Sequence, residues 1–72
     1  MENQGRIENL DLANRTVTVN GISYRLHEDF EVIRHTPDGP VALNPYRIDP
    51  SERYAVEARS GMVRRLHVVD PR

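Results

Sequence analysis

The chain reads as a small all-β protein, and three features predict it. Asn20-Gly21 separates two alternating runs, "RTVTV" and "ISYRL". Gly61 separates "RYAVEAR" from "MVRRLHVV". Pro40, Pro45 and Pro50, within eleven residues, deny the segment between them a helix of useful length.

Taken in order, "GRIENLD" is the first strand, with Ile7 and either Leu10 or Leu12 facing the core. Ile7 and Leu10 are an odd number of positions apart, so a bulge or a strand end is expected near Asn9. "DLAN" then turns the chain. In the hairpin that follows, Asn-Gly supplies the two positive φ angles of a type I′ turn, and the two-residue loop sets the register. Val19 faces Ile22, Val17 faces Tyr24 and Arg15 faces Leu26 on one side; Thr18 pairs with Ser23 and Thr16 with Arg25 on the other. One face is apolar and one polar, the pattern of a sheet covered from one side.

Beyond Leu26 the cluster His27, Glu28 and Asp29 interrupts the run, and a separate short strand is expected with Phe30 and Val32 on one face. "HTPDGP" is a turn: Pro37 presets φ, Asp38 bonds its own backbone, Gly39 takes positive φ and Pro40 halts pairing. Residues 41–52 are expected as an ordered loop across the open end of the sheet, with a short strand or 3₁₀ turn at 41–44 or 50–53. The final hairpin admits two registers. A three-residue loop pairs Ala58 with Met62, Val56 with Arg64 and Tyr54 with Leu66. A bulge at Arg64-Arg65 brings Val63, Leu66 and Val68 to one side instead, and is preferred because it buries more apolar surface. Residues 1–4 and 70–72 are expected to fray.

Seventy-two residues form one domain, 1–72, near the size at which a single core only just offsets conformational entropy. Cysteine is absent, so neither disulfides nor thiolate metal sites add stability. The formal charge is -1, which gives no global attraction to polyanions. All ten basic residues are arginine, a residue suited to bidentate contacts with carboxylate or phosphate. No apolar run reaches membrane-spanning length and the start lacks the basic-then-apolar order of a signal peptide, so a cytoplasmic chain with no membrane partner is expected.

"GRIENLDLANRTVTVNGISYRL", Val32, "YAVEA" and "GMVRRLHV" together resemble small bacterial domains of unknown function with the pattern G-x-I-x-x-I-D, T-x-T-V-N-G-x-x-Y-x-L, V-x-V and a final G-x-V-x-x-I-x-V. This resemblance spans nearly the whole chain. It implies a five-stranded antiparallel, partly open barrel, OB-like or SH3-like, with no catalytic residues to carry over. "RIDPSERYAVEA" is also similar to the proline-led turn and following strand of bacterial translation initiation factor 1, through Ile48, Pro50, Tyr54 and Val56; the ribosome is not carried over as a partner.

Chemistry-bearing motifs are sparse. His27, Glu28 and Asp29 are adjacent, but neighbours on an extended strand point to opposite faces and do not converge on one atom. An enzymatic role would have to centre on His27 and His35. Ser23, Ser51 and Ser60 lack a nucleophile-elbow context, and the four glycines form no phosphate loop. His27, His35 and His67 meet only if tertiary folding brings them together. No catalytic residue, metal site or cofactor is therefore expected. The leading expectation is a non-catalytic module that binds another protein, or a second copy of itself, through an open sheet edge and the 40–50 loop, with Leu43, Tyr46 and Ile48 as the contact residues. The alternative is single-stranded nucleic acid, with Tyr46 as stacking platform and Arg47, Arg53, Arg64 and Arg65 along the backbone.

Overall fold

The computed structural model describes residues 3–69, which form six strands: β1 (Gln4–Asp11), β2 (Thr16–Val19), β3 (Ile22–Thr36), β4 (Gly39–Leu43), β5 (Arg53–Arg59) and β6 (Met62–Val69). They lie in the order β2-β1-β5-β6-β3-β4, and a further β2–β3 pairing closes five of them into a barrel. The small all-β barrel is as expected. It differs in three respects: it is closed, it carries a sixth strand, and β3 pairs with β6 in parallel while every other pairing is antiparallel. Closure leaves the barrel without the open edge expected from sequence. β4 ends the strand order, and on its outer edge Pro40 has no N–H to offer a further strand.

The first hairpin has the expected register, from Val19 opposite Ile22 to Thr16 opposite Arg25. The pairing of β1 with β2 slips between Ile7 and Asn9, so Glu8 is the extra residue of a bulge. That residue then clamps the turn, its Oε1 accepting from Gly21 N at 2.7 Å. The lower-numbered end of the chain is better held than expected: Gln4 pairs with Ala55, and Asn3 Nδ2 donates to Val19 O at 2.8 Å and to Tyr24 Oη at 3.0 Å. The remaining residues expected to fray, 1–2 and 70–72, lie outside the described residues.

The short strand expected after the His27 cluster is continuous with β3, which curves along the barrel. Its first half pairs with β2 and its second half with β4, so one long strand serves two neighbours on the same side. Pro40 does not halt pairing; it sits in β4 opposite His35, tolerated because its other side is an edge. The short strand expected at 41–44 is the second part of β4, and the 3₁₀ turn falls at Pro45–Arg47, not at 50–53.

The second hairpin corrects the three-residue loop. Arg59 pairs with Met62 around a two-residue turn, with Ser60 at φ 55° and Gly61 at φ 78°, closely matching Asn20 at 51° and Gly21 at 78° in the first hairpin. The preferred bulge is present: Ala58 pairs with Val63 and Glu57 with Arg65, leaving Arg64 unpaired, and Val63, Leu66 and Val68 all face inward. Serine at a left-handed position is strained where asparagine is tolerated. Ser60→Asn should therefore stabilise the protein by about 0.5 kcal/mol, read as a higher urea midpoint at unchanged slope; a lower midpoint would contradict the assigned turn.

Val17, Val19, Leu26, Val32, Tyr54, Val56, Val63, Leu66 and Val68 form the core, with Leu43, Phe30, Tyr24 and Ile48 packed half-buried against it. β2, β3, β5 and β6 supply these residues at even spacing, as the period of two requires, except where the bulge at Arg64 shifts Leu66 by one. Tyr54 is fully enclosed, and its hydroxyl donates to Asp49 O at 2.9 Å, tying the segment after the 3₁₀ turn to the barrel.

Candidate functional site

The register of β3 against β6 breaks once. Leu26 pairs with Val63 and Glu31 with Arg65, so residues 27–30 stand opposite Arg64 alone. Asp29 N donates to His27 Nδ1 at 3.1 Å within this looped-out segment, and Phe30 turns back against the core. Between the segment and the turn at residues 12–15 lie two adjoining hollows of about 390 and 280 Å³, which share Arg15, Leu26, His27 and Glu28. Arg25 and Met62 line one end of this groove; Leu12, Phe30, Pro45 and Tyr46 line the other.

Tyr46 is placed by the 3₁₀ turn. Asn44 caps it, its Oδ1 accepting from Tyr46 N and its carbonyl from Arg47 N, both at 2.9 Å, and Pro45 opens it. The backbone is fixed while the ring is 82% exposed. Arg15 marks the middle of the groove. It holds φ at 56°, a conformation that costs an arginine more than an asparagine or glycine, and its carbonyl accepts from Leu26 N at 2.8 Å. Its guanidinium reaches Glu28 only at 4.0 Å.

Of the three residues expected to contact a protein, Leu43 and Ile48 are half-buried against the core, and Tyr46 is the one presented to solvent. The four arginines expected to follow a nucleic-acid backbone are not brought into one groove. Arg65 is held by Glu57 at 2.8 Å and Glu31 at 3.5 Å. Arg53 pairs across β1 with Arg6. Arg47 lines a separate hollow with Arg34, Asp49 and Glu52. Arg64 stands at the bulge, where it shares a hollow with Arg59. Sequence reasoning passed over Arg59 and Met62, which stand opposite each other beside the turn of the second hairpin.

Tertiary folding does bring two histidines together, though not the His27 and His35 pair on which an enzymatic role would depend. Ile33 of β3 pairs with His67 of β6, which puts His35 diagonally beside it. His35 Nε2 and His67 Nδ1 are 2.9 Å apart, and His67 Nε2 is 2.8 Å from Glu57 Oε1. A carboxylate only accepts, so His67 carries its proton on Nε2, and with both rings neutral His35 donates to His67 Nδ1. No cluster of three metal-ligating side chains occurs among the described residues.

The hydrogen bond from His67, with Arg65 beside it, holds the Glu57 carboxyl below its ordinary value. Asn14 does the same for Asp11 and Ser51 for Asp49, each donating from both main chain and side chain. A carboxyl whose folded pKa is depressed contributes stability that is complete above its unfolded value and is lost as pH falls through the folded one. The contribution of these three carboxyls to the urea midpoint should therefore be complete above about pH 5 and fall on acidification below the ordinary values of 4.5 for Glu57 and 3.8 for the aspartates. Glu57→Gln should make that fall shallower; a midpoint that rose on acidification would contradict these pairings.

Among the described residues no helix is long and apolar enough to cross a membrane. No protein-family model, curated protein or solved structure matches the chain.

Proposed function

We propose that this chain is a non-catalytic binding module that takes an extended segment of another protein along the groove from Met62 to Tyr46. The exposed Tyr46 ring, set on a capped turn over a hollow lined by Leu12, Phe30 and Pro45, carries the reading. Protein interfaces favour tyrosine, methionine and arginine, because these bring large contact area together with hydrogen-bonding capacity. This groove presents Tyr46, Met62, Arg15 and Arg25. Mixed charge suits a protein partner better than a polyanion: Glu28 lines both hollows, and the formal charge of the chain is -1. The barrel is proposed to be OB-like, on the strength of its closed five-strand order and the single parallel pairing of β3 with β6.

Photo-crosslinking tests this directly. A photoreactive amino acid at position 46 should give a discrete protein adduct in cells, and one at Asp38, in the β3–β4 turn, should not. A nuclease-sensitive adduct would favour nucleic acid, and an adduct of twice the chain mass would favour a second copy. Either result, or no adduct at all, would overturn the proposal.

A further inference from the structure

Resting on that protein-binding reading, the geometry points to an acidic segment of the partner at the Met62 end of the groove, its carboxylates held by Arg25, Arg59 and Arg64. Strand register carries the argument. Arg25 of β3 and Arg59 of β5 both pair with Met62 of β6, so these side chains leave the same outer face, one arginine a strand to either side. Their Cα positions are then about 10 Å apart across the sheet. Carboxylates at alternate residues of an extended peptide are about 7 Å apart, within reach of two long guanidinium side chains. Arg64, the unpaired residue of the bulge, stands next in line.

The three are exposed, and among the described residues none of them is in an ion pair, whereas Arg15, Arg34 and Arg65 all are. Thr16, opposite Arg25, and the Thr18 and Ser23 hydroxyls, 2.9 Å apart, continue the face in neutral hydrogen-bonding groups. A guanidinium offers a planar fork of donors that matches a carboxylate bidentately. Phosphodiesters fit the same fork, but a nucleic-acid strand brings a charge with every residue. Asp29, Glu31 and Glu57 line the hollow that Arg59 and Arg64 share, and Glu28 lies beyond. A continuous polyanion would face those carboxylates. A peptide can set acids against the free arginines and neutral residues against the acids.

The test is an NMR titration of the isotope-labelled chain with three probes of equal length: an end-blocked Asp-Ser repeat peptide, its Asn-Ser counterpart, and oligothymidylate. The acidic peptide should shift Arg25, Arg59 and Met62. It should bind about tenfold more tightly than the neutral one, as loss of a charge-assisted contact implies. The combined Arg25→Gln, Arg59→Gln and Arg64→Gln variant, with its spectrum otherwise dispersed as before, should abolish that difference. Stronger shifts from oligothymidylate, or no shifts at these residues from the acidic peptide, would overturn the inference. Crosslinking from position 46 separates the two levels. A wild-type adduct that persists undiminished in the triple variant removes acid recognition and leaves the protein-binding reading standing; absence of any adduct in the wild type removes the reading beneath.

Discussion

Tyr54→Ala should leave the protein largely unfolded at 25 °C. Tyr54 is the largest of the fully buried side chains and lies between β1 and β6, opposite Gly5 and Val68. Removing a buried aromatic ring costs about 3–5 kcal/mol, since the transfer free energy is lost and the cavity closes only in part. A chain of this size, without disulfide or metal, has a core contribution of roughly the same magnitude to lose. Tyr54→Phe separates ring from hydroxyl. It forfeits only the hydrogen bond to Asp49 O, worth about 1 kcal/mol. Circular dichroism and urea titration of the pair should therefore show a cooperative transition for phenylalanine and none for alanine. A Tyr54→Ala protein with a midpoint close to wild type would mean that the barrel interior is packed otherwise than described.

Tyr46→Ala should do the opposite: no measurable loss of stability and a large loss of binding. The ring is 82% exposed, and the turn beneath it is held by Asn44, which the substitution does not touch. Surface changes of this kind alter stability by less than about 0.5 kcal/mol. An aromatic anchor at an interface costs about 2 kcal/mol when truncated, which is about thirtyfold in Kd. Leu43→Ala and Ile48→Ala, at neighbouring sites, should instead lower the urea midpoint, because both side chains pack half-buried against the core. Capture of the crosslinked partner by the immobilised Tyr46→Ala chain reads the difference. Undiminished capture by a folded Tyr46→Ala protein would place the interface elsewhere.

The local strand pattern was legible because its determinants are local. Asn20-Gly21 allows positive φ at two successive positions, and alternation then assigns Val17 and Val19 to the core without reference to the rest of the chain. The odd spacing of Ile7 and Leu10 called for a bulge or a strand end near Asn9, of which the bulge is the one present, and the same parity argument applied to Val63 and Leu66 favoured the one at Arg64. Ser60-Gly61 was harder. Serine is not a usual residue for the first left-handed position, so the loop was read as one residue too long.

Tyr46 was visible as an apolar side chain on a proline-rich segment, but nothing in the sequence separated it from Leu43 and Ile48. That separation depends on which side of β4 and the 3₁₀ turn faces the barrel. Arg64 and Arg65 were likewise equivalent as neighbours. Only the bulge gives Arg65 to Glu57 and Glu31 and leaves Arg64 free.

By itself, then, the sequence determined the strand-rich class, the first hairpin and its register and most of the buried positions, and it favoured the bulge at Arg64, because φ preferences and a period of two act between residues close in the chain. Only the tertiary structure decided that β3 would run on through the His27 cluster, pair with β6 in parallel and close the barrel. That choice joins residues far apart in sequence, and the side-chain alternation of β3 and β6 reads the same for a parallel neighbour as for an antiparallel one. The meeting of Arg25 with Met62, and of His35 with His67, follows from that closure, so no local rule could have announced it.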